Sequence, residues 1–250
     1  MRPKARCSSA PTAFRQAIQQ SALDRRETAL WPRTREELEA RQAALAGRRE
    51  PPWRPSVGPA ATAGCAVCFG PAEAGRERAW AAAAFAGATR GRRALAVGQV
   101  DAEYEPGLMA LREGPLLEAA VRALPQAPEV LIVPAAGRDH PRRAGLAVHL
   151  GAVLGLPTVG LTRRPLVASG PMPKAAAAGS LSVLMIDGEP VAAWVRTRAG
   201  ARPLVVHAGW RTSVQTAIEV VLASCAGRRF PEPIREAREA ARRERSRALR

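Results

Sequence analysis

The stretch VPAAGRDHPRRAG, Val133 to Gly145, sets His140, Pro141, Arg142 and Arg143 where an apolar run gives way to a helical pattern. Imidazole, guanidinium groups and free backbone N–H groups at a helix start together suit an anion, phosphate above all. Pro141 fits a first helical turn, which places the helix over PRRAGLAVHLGAVLG with His140 just before it. Asp139, in the same loop, reads as a cap or as an ion-pair partner of Arg142. Its other reading is a metal ligand shared with Glu113, because Mg²⁺ often binds through one or two carboxylates plus substrate phosphates. His149 falls within the helix and reads as a packing residue, while His207 ends a strand and its role stays open.

The cysteines offer less chemistry. Cys65 and Cys68 form a C-x-x-C pair in GCAVCF, but Cys7 and Cys225 do not supply two more ligands at matching spacing, and no helix start follows the pair. GCAVCF reads instead as a strand, in which positions three apart face opposite ways.

A chain of 250 residues with 38 basic and 22 acidic residues carries a formal charge of +16, and only Lys4 and Lys174 are lysines. Coding bias accounts for arginine in place of lysine but not for the shortage of acid, and such a cation attracts phosphate polymers. No run of about 18 apolar residues is present, and MRPKARCSSAPTAFRQ has no apolar centre of an export signal. A cytoplasmic chain without a membrane partner is expected.

Elements that would position these groups follow in order. Residues 1–30 read as a polar, disordered leader, residues 31–230 as the folded domain and residues 231–250 as a basic helix or tail, either a solvated face or a sequence-blind phosphate arm. Thr34 and Glu37 have capping-box spacing, opening a helix that Pro51 and Pro52 stop. ATAGCAVCF, RAWAAAAFAG and RALAVGQVDAEY read as an antiparallel meander. Gly114 and Pro115 suit the cap and first position of a helix PLLEAAVRAL. EVLIVP and PTVGL, joined by the HPRR helix, read as parallel strands, and LSVLMIDGEPVAAWVRTR as a hairpin turning at Asp187-Gly188. PLVVHAG and a last apolar helix, TSVQTAIEVVLASCAG, follow. The expected fold is an α/β, ribonuclease-H-like mixed sheet, antiparallel strands first and parallel strands after, flanked by helices.

YEPGLMALREGPLLEAAVRAL, HPRRAGLAVHLGAVLGLPTVGL and FPEPIREA together carry a resemblance to the endonuclease V family, running from about Trp31 to Arg243. The combination of Y-x-P-G, R-E-G-P and H-P-R-R at these spacings is specific. It implies a Mg²⁺- or Mn²⁺-dependent phosphodiesterase that recognises deoxyinosine in DNA or RNA and cuts on its 3′ side. Such an enzyme needs several hard oxygen ligands for its metal. The resemblance puts the family's glutamate on Glu113 but its two aspartates on Ala66 and Pro134. It puts the catalytic lysine on Arg163, a late histidine on Trp210 and a turn glycine on Ala135. The tetrapeptide that wedges beside the lesion falls on Glu103, Tyr104, Glu105 and Pro106, and the base pocket on Gly107, Met109, Gly145 and Leu146. The implied site is therefore Glu113, His140 and Arg163 for chemistry, with Arg142 and Arg143 among the nucleic-acid contacts. The leading reading is a monomeric, nucleic-acid-binding family member with impaired or absent nuclease activity. The others are an active inosine endonuclease with rearranged ligands and a non-catalytic structural or interaction protein.

Overall fold

The computed structural model describes residues 31–250 except 49, 56–59, 74–75, 87–91, 101–104 and 106. The expected leader, Cys7 and the wedge residues Glu103, Tyr104 and Pro106 lie outside the described residues. Helix α1 (Arg35–Gly47) opens as its capping spacing predicts, the Thr34 hydroxyl accepting from the Glu37 amide at 3.2 Å. It ends at Gly47, ahead of Pro51 and Pro52, because Arg48 already takes an extended conformation. The meander is present as β1 (Thr62–Glu73), β2 (Arg76–Phe85) and β3 (Arg93–Val100), paired antiparallel. In β2 every residue from Ala79 to Phe85 is buried, Trp80 and Phe85 among five alanines, since helices cover both faces of this strand.

Helix α2 (Met109–Arg122) begins well before the expected start at Pro115, which lies inside it. Pro115 has no N–H to offer the Leu111 carbonyl one turn back, so one rung of the helix is missing. Gly114 is thus an interior residue rather than a cap, and its lack of a side chain has a packing reason. A Cβ there would lie 2.1 Å from the Trp31 ring. Trp31 is held in turn by its indole N–H donating to Glu118 at 2.5 Å and by stacking on His149 with ring centroids 4.6 Å apart.

β4 (Val130–Val133), α3 (Leu146–Leu154) and β5 (Thr158–Thr162) form the expected strand–helix–strand unit. All four residues of β4 are buried, as a strand covered on both faces requires. Hairpin β6 (Leu181–Ile186) and β7 (Glu189–Val195) turns at Asp187 and Gly188, both at positive φ, and β8 (Leu204–Ala208) follows. The eight strands run β3-β2-β1-β4-β5-β8-β7-β6, with β1, β4 and β5 parallel and the other pairs antiparallel. This is the ribonuclease-H-like mixed sheet.

Helices α2 and α3 share one core with the sheet, joined by Leu38 of α1 and by Trp31 ahead of it. Across the sheet lie α4 (Val214–Ala223), capped by Ser213, and α5 (Glu232–Ala248). The basic C-terminal segment left open as helix or tail is α5. Pro233, Ile234, Ala237, Ala240 and Ala241 recur at helical spacing and are buried. Ala237, Ala240 and Ala241 pack on Ala66, Ala82 and Ala84 of β1 and β2. Among the described residues no helix is long and apolar enough to cross a membrane.

Gly114→Ala is expected to lower stability by about 1–3 kcal/mol through overpacking against Trp31, although the same change in an open helix adds about 1 kcal/mol. The midpoint of urea unfolding distinguishes the two, and a midpoint above that of the parent would show that Trp31 gives way freely.

Candidate functional site

Ligands of open α/β sheets gather beyond the carboxyl ends of parallel strands. At that place the chain crowds its backbone: a Cβ on Gly145 would meet the Ala136 carbonyl oxygen at 2.3 Å, and one on Gly137 the Ala208 oxygen at 2.1 Å. The close approach displaces the expected helix start. α3 begins at Leu146 rather than Pro141, because the Gly145 and Ala147 amides donate to the Gly137 and Ala136 carbonyls and Arg143 takes a left-handed φ of 54°. His140 is therefore a loop residue, and the helix's first amides are partly used within the protein.

A pocket of about 190 Å³ opens here. It is lined by Gly107, Met109, Gly145 and Leu146, together with Pro134 and His140, and closed by Thr162, Arg164 and Leu166. Its volume is several times the ~30 Å³ of one liquid water, and its walls are mostly apolar. The Gly107 carbonyl accepts from both His140 Nε2 and Gln42 Nε2 at 3.2 Å, while His140 Nδ1 accepts from the Arg142 amide at 3.1 Å. These contacts fix a neutral imidazole with its proton on Nε2, and burial also pulls its pKa below the ordinary histidine value. Arg142 reaches Gln42 Oε1 at 2.7 Å and Glu39 at 3.1 Å. Arg143 reaches the Ile186 carbonyl at 3.2 Å and Asp187 at 3.3 Å. His140, Arg142 and Arg143 thus tie loops to one another: one to the Gly107 turn, one to α1 and one to the β6–β7 turn.

Asp139 is fully buried, and its carboxylate accepts the backbone N–H groups of Leu166, Val167 and Ala168 at 2.8, 2.8 and 2.7 Å. The expected pairing with Arg142 is not what it makes. Behind it stands His207, with Nδ1 3.5 Å from Asp139 and Nε2 2.7 Å from the Thr162 hydroxyl; burial pushes this imidazole down to about 4. Glu113 lies on α2, and burial raises its carboxyl to about 7 against a smaller opposing pull from Arg112. Cys65 of β1 is near enough for Glu113 to add to the burial that pushes its thiol up. Ala66, one residue on, faces the alanines of α5, as does Cys68. Strand alternation has split the C-x-x-C pair between the two sheet faces.

Arg163 stands apart from the pocket although Thr162 and Arg164 line it. Its guanidinium lies 5.7 Å from the Phe230 ring centroid and lines a separate groove along α5. Glu105 pairs with Arg35. Trp210 packs on Leu45, Ala144 and Val148. Sequence reasoning missed Gln42, Thr162 and Arg238. Gln42 alone left a signal, a polar residue on the buried stripe Leu38, Gln42, Leu45.

A profile of the Endonuclease V family matches residues 52–239, and an Endonuclease V of Streptomyces avermitilis is 37% identical over 213 residues, 83% of this chain and 90% of the relative. The chain belongs to the Endonuclease V family. An Endonuclease V of Gloeobacter violaceus is 46% identical over 138 residues, which is 55% of this chain. The match spans 56% of that relative, and 59% and 62% of those from Protochlamydia amoebophila and Geotalea uraniireducens. The crystal structure of the Streptomyces avermitilis Endonuclease V superposes with a TM-score of 0.73 at 33% identity, covering 88% of this chain and 96% of that one. Ciona intestinalis Endonuclease V, solved with a 24mer DNA containing an inosine followed by a ribo-adenosine, superposes at 0.66 with 20% identity over 85% and 98%, a likeness of fold.

The residues present do not fit the divalent ion that this family's chemistry uses. At the positions where the resemblance places the family's two aspartates, Ala66 and Pro134 carry no side-chain donor, and Asp139 is occupied by three N–H groups. No group of three or more His, Cys, Asp or Glu among the described residues could hold a metal.

Two outcomes are expected from these buried acids. An unfolded glutamate ionises near 4.5 and folded Glu113 near 7, so ionisation opposes folding: stability should fall as pH rises from 4.5 to 7, by up to about 3 kcal/mol, and stay low above it. Urea midpoints of the Glu113→Gln variant should lack that decline, and an equal decline would assign it elsewhere. Asp139→Ala, which strands three amides, should cost about 3–5 kcal/mol, read as a lower thermal midpoint; a loss under about 1 kcal/mol would mean that water replaces the carboxylate.

Proposed function

We propose that this chain binds inosine-containing nucleic acid, an extruded purine entering the pocket, and that its metal-dependent phosphodiesterase activity is impaired or absent. The observation that carries the reading is Pro134. At the strand end where a carboxylate would hold the metal, a proline ring forms a wall of the pocket beside His140 and Gly145. Recognition and cleavage, which the family combines at one strand end, have come apart: the residues that shape the cavity are retained, and those that would hold the ion are replaced.

An extruded base is read by shape, stacking and hydrogen bonds to its exposed edge. The Gly145 and Leu146 backbone, the apolar side chains of Met109 and Leu146 and the neutral His140 supply such surroundings. Arg142 and Arg143 reach the strand's phosphates by exchanging Glu39 and Asp187, exposed or half-exposed partners that bind them weakly. Missing carboxylates remove several kcal/mol of transition-state stabilisation, equivalent to rates lower by roughly three orders of magnitude or more.

The test is a labelled single strand with one deoxyinosine, incubated in Mg²⁺ and separately in Mn²⁺ and compared with its adenine counterpart. Tighter binding of the inosine strand with an intact backbone is expected, and Met109→Trp, which fills the pocket, should abolish the preference. Cleavage 3′ of the lesion that disappears in Glu113→Ala would overturn the non-cleaving part. Equal affinity for both strands would overturn the pocket assignment.

A further inference from the structure

Away from the purine pocket, between Arg163 and the outer face of α5, lies an open groove with a volume of about 700 Å³. Arg163, Arg235, Arg238, Arg242, Arg247 and Arg250 line it. Its lining acid, Glu239, is engaged by Arg243. Among the described residues Arg163, Arg235, Arg238 and Arg242 have no carboxylate within ion-pair distance, and the Arg235 Nε is buried without a hydrogen-bond partner. Arg163 and Arg238 instead rest against one aromatic residue, Phe230, with guanidinium carbons 5.7 and 5.0 Å from its ring centroid. Burial and the nearby charges of Arg163 and Arg242 lower the affinity of Arg238 for its proton. Arg247 pairs with Glu244 and Arg243 with Glu239, but Arg163, Arg235, Arg238 and Arg242 gather without a carboxylate, an excess of positive charge that a polyanion would relieve.

We infer that this groove is a second nucleic-acid site, a track for the phosphodiester backbone that reads no base. Arg235, Arg238 and Arg242 recur about one helical turn apart, and the helix from Arg235 to its end at Ala248 rises about 20 Å. A nucleic-acid strand in a duplex carries one phosphate per 3.4 Å of axis, so the track spans about six phosphates. Planar guanidinium forks match phosphate oxygens in pairs, whereas lysines would act as point charges. The chain links the two: Thr162 and Arg164 line the purine cavity, and Arg163 between them lines the groove. The inference rests on the proposed function only for the class of occupant and not for inosine recognition.

The measurement is fluorescence anisotropy of an inosine-free single strand and of an inosine strand, each titrated from low to moderate salt. The parent chain is compared with the triple variant Arg242→Gln, Arg243→Gln, Arg247→Gln, whose fold is checked by its thermal midpoint. The logarithmic salt slope changes by about 0.7 per phosphate contact on single strands, so the variant should lose about two units of slope. Affinity for both strands should fall at least tenfold while their ratio stays unchanged. An unchanged slope in a folded variant overturns the track and leaves the pocket standing. A loss confined to the inosine strand also overturns it, by assigning these arginines to the pocket. Binding of neither strand by the parent overturns both readings. Equal or tighter binding of poly-glutamate of matched length overturns the assignment to phosphate.

Discussion

A single buried carboxylate organises the working end of this molecule. Asp139 accepts three consecutive backbone N–H groups from the segment after β5, and His207 of β8 closes it from behind. Burying an ionised acid is unfavourable unless its oxygens are fully hydrogen-bonded, and three amides achieve that. In consequence the loop after β4 cannot move without the segment at Leu166 to Ala168, and both contribute walls to the pocket. Gln42 makes the complementary clamp from the opposite side, holding the Gly107 carbonyl with one end of its amide and Arg142 with the other. The cavity's walls are thus held in place by backbone positions fixed through polar contacts.

The proposed recognition without cleavage fits that construction. Glycine and short apolar side chains define the cavity, and none of them requires a metal. A divalent ion, by contrast, demands several oxygens converging on one point. Glu113 lies beside Cys65, and burial raises its carboxyl to about 7. Positive charge gathers on α5 and at the end of β5, whereas Ala66 of β1 and Pro134 after β4 carry no acid.

Much of the fold was legible in the sequence because its strands alternate or run apolar and its turns carry strong signals, Asp187-Gly188 above all. The failures have local causes. Pro115 looked like the start of α2 because proline usually stands there, and only the packing of Gly114 against Trp31 reveals it as interior. Pro141 looked like the start of α3, but the Ala136 and Gly137 carbonyls had already claimed the amides on which a helix start was expected. The buried face of α5 went undecided because alanine carries too little hydrophobic weight to stand out among arginines. For the site, the pocket residues were reachable through resemblance to a family, whereas the partners Gln42, Thr162 and His207 come from distant segments and meet only in three dimensions. Asp139 could be seen as a cap or a ligand, and its true partners lie 27 to 29 positions away.

The alanine underside of α5 has one further effect. Ala237, Ala240 and Ala241 let the helix lie close to the sheet but contribute little apolar area, at about 0.8 kcal/mol per buried CH₂-sized group. The opposite face repels itself. The helix is therefore fastened by a thin seam and pushed by its own charge, and anything that neutralises that charge strengthens the seam by mass action. A polyanion lying along α5 would act as a structural part of this protein, completing its last layer while being held by it.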